Sequence, residues 1–314
     1  MQKAILVLSV AVMLAAVCSA ADKIDLKLRL AAGASHEMKM TQTQDISQTM
    51  QGQQMNMKQT QEMVLSMDCL AVDANGNMDV KMKYKSMKMS IEGPMGKIEF
   101  DSENPAAPDP NRPDMKMMNA IFSAMVGSEF QMTLTPTGET SNIKGLAEML
   151  KKLKDKVGEQ AGPAEMFIDK MFDENQVKEM TGNMMAVYPN DAVAVGDSWY
   201  DTKSINFMLP IDLDTTYMLK SVSSETAVID AISKLDMGDS SKIIDIDPNN
   251  KMAMQLAGTI NATNEVDVKT GLTKKSNVKM DFTGMLKMES NPQMPEGITM
   301  PITIKGSAVM ELIK

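Results

Sequence analysis

The sequence predicts an α+β fold: one or two curved antiparallel β-sheets, a half-barrel like that of lipoprotein carriers, with a central helical segment packed on the concave face. Three observations predict it. Long stretches in both end regions alternate apolar and polar residues with period two, the mark of a strand with one buried face. Residues 114–182 carry apolar side chains at helical spacing instead. Tight-turn signals separate the alternating stretches, which favours antiparallel hairpins over a parallel sheet with continuous apolar strands.

The chain opens "MQKAILVLSVAVMLAAVCSAADKIDL". Lys3 forms a positive start, Ala4 to Val17 an apolar run short of the about 20 residues a membrane helix needs, and Cys18 to Ala21 a small-residue cleavage region. Residues 1–20 therefore read as a signal peptide, and the protein as exported to the periplasm or cell envelope. Val17 is larger than a lipidation site at Cys18 prefers, so no lipid anchor is expected. No later stretch is apolar enough to span a bilayer as a helix. Cleavage leaves Cys69 as the one cysteine, so stability rests on a core rather than an internal disulfide. The formal charge of −9 becomes one unit more negative with the loss of Lys3. An acidic chain without a basic cluster is a poor partner for nucleic acid.

Residues 21–102 read as an N-terminal β-rich part. From Gln54 to Leu70 one parity carries Met55, Met57, Gln59, Gln61, Met63, Leu65, Met67 and Cys69. "DANGN" at Asp73 to Asn77 is a hairpin turn, with Asn-Gly at its centre. In the return strand Met78, Val80, Met82 and Tyr84 share a face. The pattern then slips at Lys85-Ser86 before Met87, Met89 and Ile91, which predicts a β-bulge. Residues 103–190 read as a Pro-rich loop, "ENPAAPDPNRPD", followed by helices. One spans Asp114 to Met125. A second has the stripe Ile143, Leu146, Ala147, Leu150, Leu153 and Val157. A third begins after Gly162-Pro163. Residues 191–314 form a C-terminal β-rich part. Val278, Met280, Phe282, Leu286 and Met288 line one strand, and Met300 to Leu312 another, with "KTG" at Lys269 to Gly271 as a hairpin turn. The three parts are expected to form one continuous domain.

The chain holds 36 methionines and only 4% aromatic residues. Three readings account for them. Flexible thioethers fill a core, line a cavity for a greasy ligand, or bind Cu(I) through Met-x-Met pairs. Those pairs are Met38/Met40, Met55/Met57, Met87/Met89, Met115/Met117 and Met252/Met254. Any strand with a Met-rich face produces the same spacing. The candidates for lining a ligand cavity are Met38, Met40, Met55, Met57, Met63, Met82, Tyr84, Met280, Phe282 and Met310.

No catalytic constellation is evident. His36 is the lone histidine and has no evident partner. Cys69 shares the buried parity with the methionines, which suits an inert thiol. The common nucleophile, phosphate-loop and zinc motifs are missing. Asp73 to Asp79 and Asp245 to Asn249 space oxygen ligands as calcium loops do, but the first is better read as a turn. The second lacks the glycine and the glutamate that such loops use. No metal, cofactor or catalytic residue is expected.

Four stretches together carry a resemblance. They are "VGDSW" at Val195 to Trp199 after "YPNDAVAV", "GSEFQMTLTPTGETSNIKG" from Gly127, "FDS" from Phe100, and "GTINATNEVDVKTGLTKKS" from Gly258. Together they resemble the bacterial envelope family DUF6263. The resemblance implies an exported protein but no activity and no site residue. The expected function is a non-enzymatic envelope protein binding a lipid or other hydrophobic ligand or partner in a Met-lined concavity. The alternatives are a structural or assembly protein with a filled core, and a periplasmic Cu(I)-binding protein.

Overall fold

The structure is a computed structural model that describes residues 22–50, 52–94, 96–105, 119, 121–157, 187–207, 209–237, 242–247, 250–288 and 297–314. Thirteen strands form one antiparallel sheet. In chain order they are β1 (Ser35–Met50), β2 (Gln53–Val72), β3 (Met78–Gly93), β4 (Gly96–Asp101), β5 (Glu129–Leu134), β6 (Thr140–Lys144), β7 (Ser198–Phe207), β8 (Leu209–Val222), β9 (Thr226–Asp236), β10 (Lys242–Asp247), β11 (Asn250–Asp267), β12 (Thr273–Met288) and β13 (Ile298–Leu312). Among the described residues a helix, α1, spans Leu146–Val157.

The strand order is β6-β5-β3-β2-β1-β13-β12-β11-β9-β8-β7, with β4 also on β3 and β10 also on β11. The first and last strands therefore meet at the centre, and the middle of the chain supplies both edges. The predicted bulge is present. Val64 pairs with Ser86 and Leu65 with Tyr84, leaving Lys85 as the extra residue. The predicted hairpin at Asp73 is present as well, with Asp73 Oδ1 accepting from the backbone of Asn75 at 2.8 Å and of Asn77 at 2.9 Å. That carboxylate serves the turn, as the hairpin reading anticipated.

The sheet is strongly curled, and hydrogen bonds at one end demonstrate it. Leu28 N donates to Pro136 O at 2.8 Å, and its neighbour Arg29 N donates to Thr270 O at 2.7 Å. Those acceptors lie in the β5–β6 and β11–β12 turns, which a flat sheet would hold at least five strand spacings apart, about 24 Å or more. Two adjacent residues can reach both only if the sheet bends round. Tyr188 repeats the bridge: its backbone N–H donates to Thr137 O and its hydroxyl to Gly271 O. Part of the bend is built into the strands. A Cβ on Gly258 or Gly284 would collide with the carbonyl oxygen of Asp281 or Gln255, so these mid-strand positions take only glycine.

Register places most apolar residues of the long strands on one inner face, with exceptions such as Leu70, Ile232 and Met285 exposed on the outer one, where the cross-strand ion pairs lie. Lys39–Glu62 at 2.9 Å and Lys275–Glu311 at 2.9 Å are examples. At the bridged end, the base, a large core joins both halves of the sheet. Met67, Met78, Met82 and Met132 meet Leu219, Ile229 and Val266 there. The segment 22–32 crosses this end, burying Leu26, Leu28 and Leu30 and pairing Ile24 with Val193. Sequence reading assigned it no role.

The helical segment packs into the same core, through Ile121, Phe122 and Met125 and through Leu146, Met149 and Leu150 of α1. Residues 121–125 are helical, and 114–118 lie outside the described residues. So do the predicted signal peptide with Cys18, most of the Pro-rich loop, and the third predicted helix. The second helix begins later than its stripe suggests. Ile143 belongs to β6, because Asn142 (φ 52°) and Gly145 (φ 84°) turn the backbone before Leu146. Among the described residues no helix is long and apolar enough to cross a membrane.

Candidate functional site

Cross-strand pairing puts all the candidate cavity residues on the inner face. Met40 stands opposite Met63 on β2 and Met310 on β13, while Met280 stands opposite Gly306 and Ile260. Burial then divides the set. Met38, Met63, Met82 and Tyr84 are buried in the base core, with Met82 only 1% exposed. Met40 and Met310 are half-buried against that core, and Phe282 against a second one. Met55, Met57 and Met280 are half-buried and belong to neither core.

The second core lies toward the opposite end, the mouth, on the C-terminal half of the sheet. Its buried members include Leu213, Leu235, Leu256, Leu286 and Ile302. Between the two cores runs a waist where the inner face stays half-exposed. One row crosses the sheet there: Ile91, Gln59, Gln44, Gly306, Met280, Ile260, Ser233, Thr215 and Asp201 are successive cross-strand partners. The next row toward the base carries Gln61 and Gln42 beside Ala308 and Val278. Gln44 Nε2 approaches Met280 Sδ at 3.6 Å. Thr215 Oγ1 and Ser233 Oγ share a hydrogen bond of 2.7 Å.

The alternating pattern already held Gln59 and Gln61 on the methionine parity. Sequence reading placed Gln59 and Gln61 on that parity but gave them no role, and it did not consider Gln42 and Gln44 on β1.

The weaker candidates have local explanations. Cys69 is buried, its thiol pushed up by burial, and its Sγ contacts Ala71 O at 3.7 Å. His36 is half-buried near the start of β1, opposite Met67. The Met-x-Met pairs in β1, β2, β3 and β11 are same-face strand neighbours, and Met115/Met117 lies outside the described residues. Burial sets two of the tyrosines: Tyr84 is raised to about 12 by desolvation in the base core, and Tyr217 to about 12 by desolvation and then by Asp201. Tyr217 stacks on Trp199 with ring centroids 5.6 Å apart. The Gly196-Asp197 turn before Trp199 is tied by Ala194 N donating to Asp197 Oδ2 at 2.9 Å. A surface pocket of about 330 Å³ lies on the outer face, among Asp73, Asp79, Thr133 and Asn142. Its polar groups already bond one another, as Thr133 Oγ1 does with Asp79 at 2.7 Å.

Residues 75–273, from the β2–β3 turn to the start of β12, match a family of unknown function, DUF6263. The chain belongs to DUF6263. The matched segment leaves out β1, β2 and β13, so the glutamines of the waist stand outside it. No curated protein matches the chain.

Among solved structures, the DUF6263 chain is similar to one on lipid–protein interactions in lipovitellin, at 8% identity and a TM-score of 0.44. That match covers 90% of this chain, which spans a quarter (25%) of the lipovitellin chain. An outer membrane channel from Pseudomonas putida F1 matches at 7% identity and TM-score 0.20, covering 92% of this chain and 98% of that one. A domain from Vibrio parahaemolyticus described as an outer membrane lipoprotein-sorting protein domain matches at 8% identity and TM-score 0.13, covering 88% and 83%. These scores are too low to carry a functional argument.

Proposed function

We propose that this DUF6263 chain is an exported, non-enzymatic protein of the cell envelope that binds a hydrophobic ligand on the inner face of its curled sheet. The observation that carries the reading is the waist. Met280 lies half-exposed there between two packed cores, Met57 and Met55 continue the half-exposed face toward the mouth, and none of the three joins a core. A face built only to be filled would close there as it closes at the base. Methionine suits such a surface because its unbranched thioether adapts to ligands of different shape.

The test is native mass spectrometry of gently purified protein. A co-purifying hydrophobic adduct is expected in the parent protein. Met280→Asp, at a half-exposed position, should remove the adduct while leaving the Trp199 near-ultraviolet signal intact. A parent protein that flies free of any adduct, and takes up none from detergent-solubilised lipid, defeats the reading.

The filled-core alternative draws on the base, where the methionines are buried to within a few per cent. It predicts that Met280→Asp changes nothing but surface charge. The Cu(I) alternative draws on the row Met87, Met63, Met40 and Met310, which are successive partners across four strands. It predicts a stoichiometric Cu(I) complex that is lost when Met38 and Met40 become Leu.

A further inference from the structure

Accepting that the waist binds a ligand, we infer that this ligand is an uncharged amphiphile that enters polar end first, its hydroxyl or carbonyl group meeting the glutamine row and its chain running to the mouth. Three observations lead there. The first is charge. Across β5, β3, β2, β1, β13, β12, β11 and β9 the inner parity carries no Asp, Glu, Lys or Arg, in a chain with 23% charged residues. Asp201 and Lys203 do share that parity, on edge strand β7, six strands from Gln44. A carboxylate or phosphate brought to the glutamines would lose its hydration with no cation on the strands around it to replace it.

The second observation is the glutamines themselves. Gln42, Gln59 and Gln61 make no side-chain hydrogen bond among the described residues, and Gln44 reaches only the weak acceptor Met280 Sδ. Each amide offers two donors and an acceptor. Half-buried amides on an apolar face gain most from a partner that both donates and accepts without bringing charge.

The third is position. On the base side of the glutamine rows the face is closed by Met63, Met87 and Met38. On the mouth side, Met57, Ile46 and Ile304 are only half-buried. Gln44 lies six residues from the end of β1, so the row sits about 20 Å below the mouth. A ligand with its polar end at the mouth would leave that row facing hydrocarbon.

Titration calorimetry of the full mature protein with monopalmitoylglycerol and with palmitate at pH 8, each below its micelle threshold, tests this. Monopalmitoylglycerol should bind at least about ten-fold tighter, as burying an unpaired charge demands. Gln44→Lys, which supplies the missing cation, should reverse the order in favour of palmitate. Equal binding of the two probes, or a Gln44→Lys variant that is folded by near-ultraviolet dichroism and keeps the parent preference, overturns the inference while leaving a hydrophobic site in place. Failure of both probes to bind the parent protein removes the site, and the inference with it.

Discussion

Single residues act here through what surrounds them, and chemically similar positions have opposite expectations. Met82→Asp would place a carboxylate in a fully packed core, and the variant should fail to fold. Met280→Asp should fold. Circular dichroism of the two separates core from waist. Gly284→Ala forces a methyl group into the carbonyl of Gln255 and should lower stability by about 1–3 kcal/mol in a denaturant titration, the usual range for overpacking.

Asp267 is instructive for pH. Burial raises its carboxyl, but donors outweigh that effect and hold it below the ordinary value: Thr270 N at 2.9 Å, Lys274 Nζ at 3.2 Å from the second oxygen, Thr270 Oγ1 at 3.1 Å and Lys269 N at 3.0 Å. The folded carboxyl thus holds its proton less tightly than the unfolded one. Its contribution is complete above the unfolded value near about 4 and fades as pH falls through the lower folded value. Thermal melts of the parent should lose stability over that window. Asp267→Asn should be less stable at pH 7 and show a shallower acid slope.

At the scale of elements, the alternating strands were legible because period two is a local signal. The bulge at Lys85 was legible for the same reason: the methionine pattern changes parity without losing its strength. Deleting Lys85 would remove the bulge and leave Tyr84, Met87, Met89 and Ile91 alternating without a break on the inner face, and the expected outcome is a folded protein that elutes with the parent in size-exclusion chromatography. The segment 22–32 was not legible. Leu26, Leu28 and Leu30 alternate, but in a stretch too short to announce what it would touch, and its partners lie in distant turns. Leu28→Ala should cost about 2–5 kcal/mol, as for other buried leucines, with a matching fall in the unfolding midpoint. The start of α1 was misplaced because Ile143 fits a helical stripe by spacing. The positive φ angles at Asn142 and Gly145 that separate it from Leu146 are a matter of backbone, which spacing does not report.

At the scale of the whole molecule, sequence reading found that the methionines share a face but not how that face is divided. Met38 and Met57 look alike in the alternation, yet one is sealed in the base and the other half-exposed on the mouth side of the waist. The difference comes from the helical segment and residues 22–32 covering one end of a curled sheet, and no local pattern encodes it. The pairing of β1 with β13 was equally hidden, since it joins residues separated by most of the chain.

That seam has a consequence for biogenesis. The ribosome makes β13 long after β1, so β1 has no neighbour on that side until the chain between them has been synthesised, and contacts so remote in sequence form slowly. A chain wired this way resists premature locking, because its sheet stays open at the centre until both halves are present.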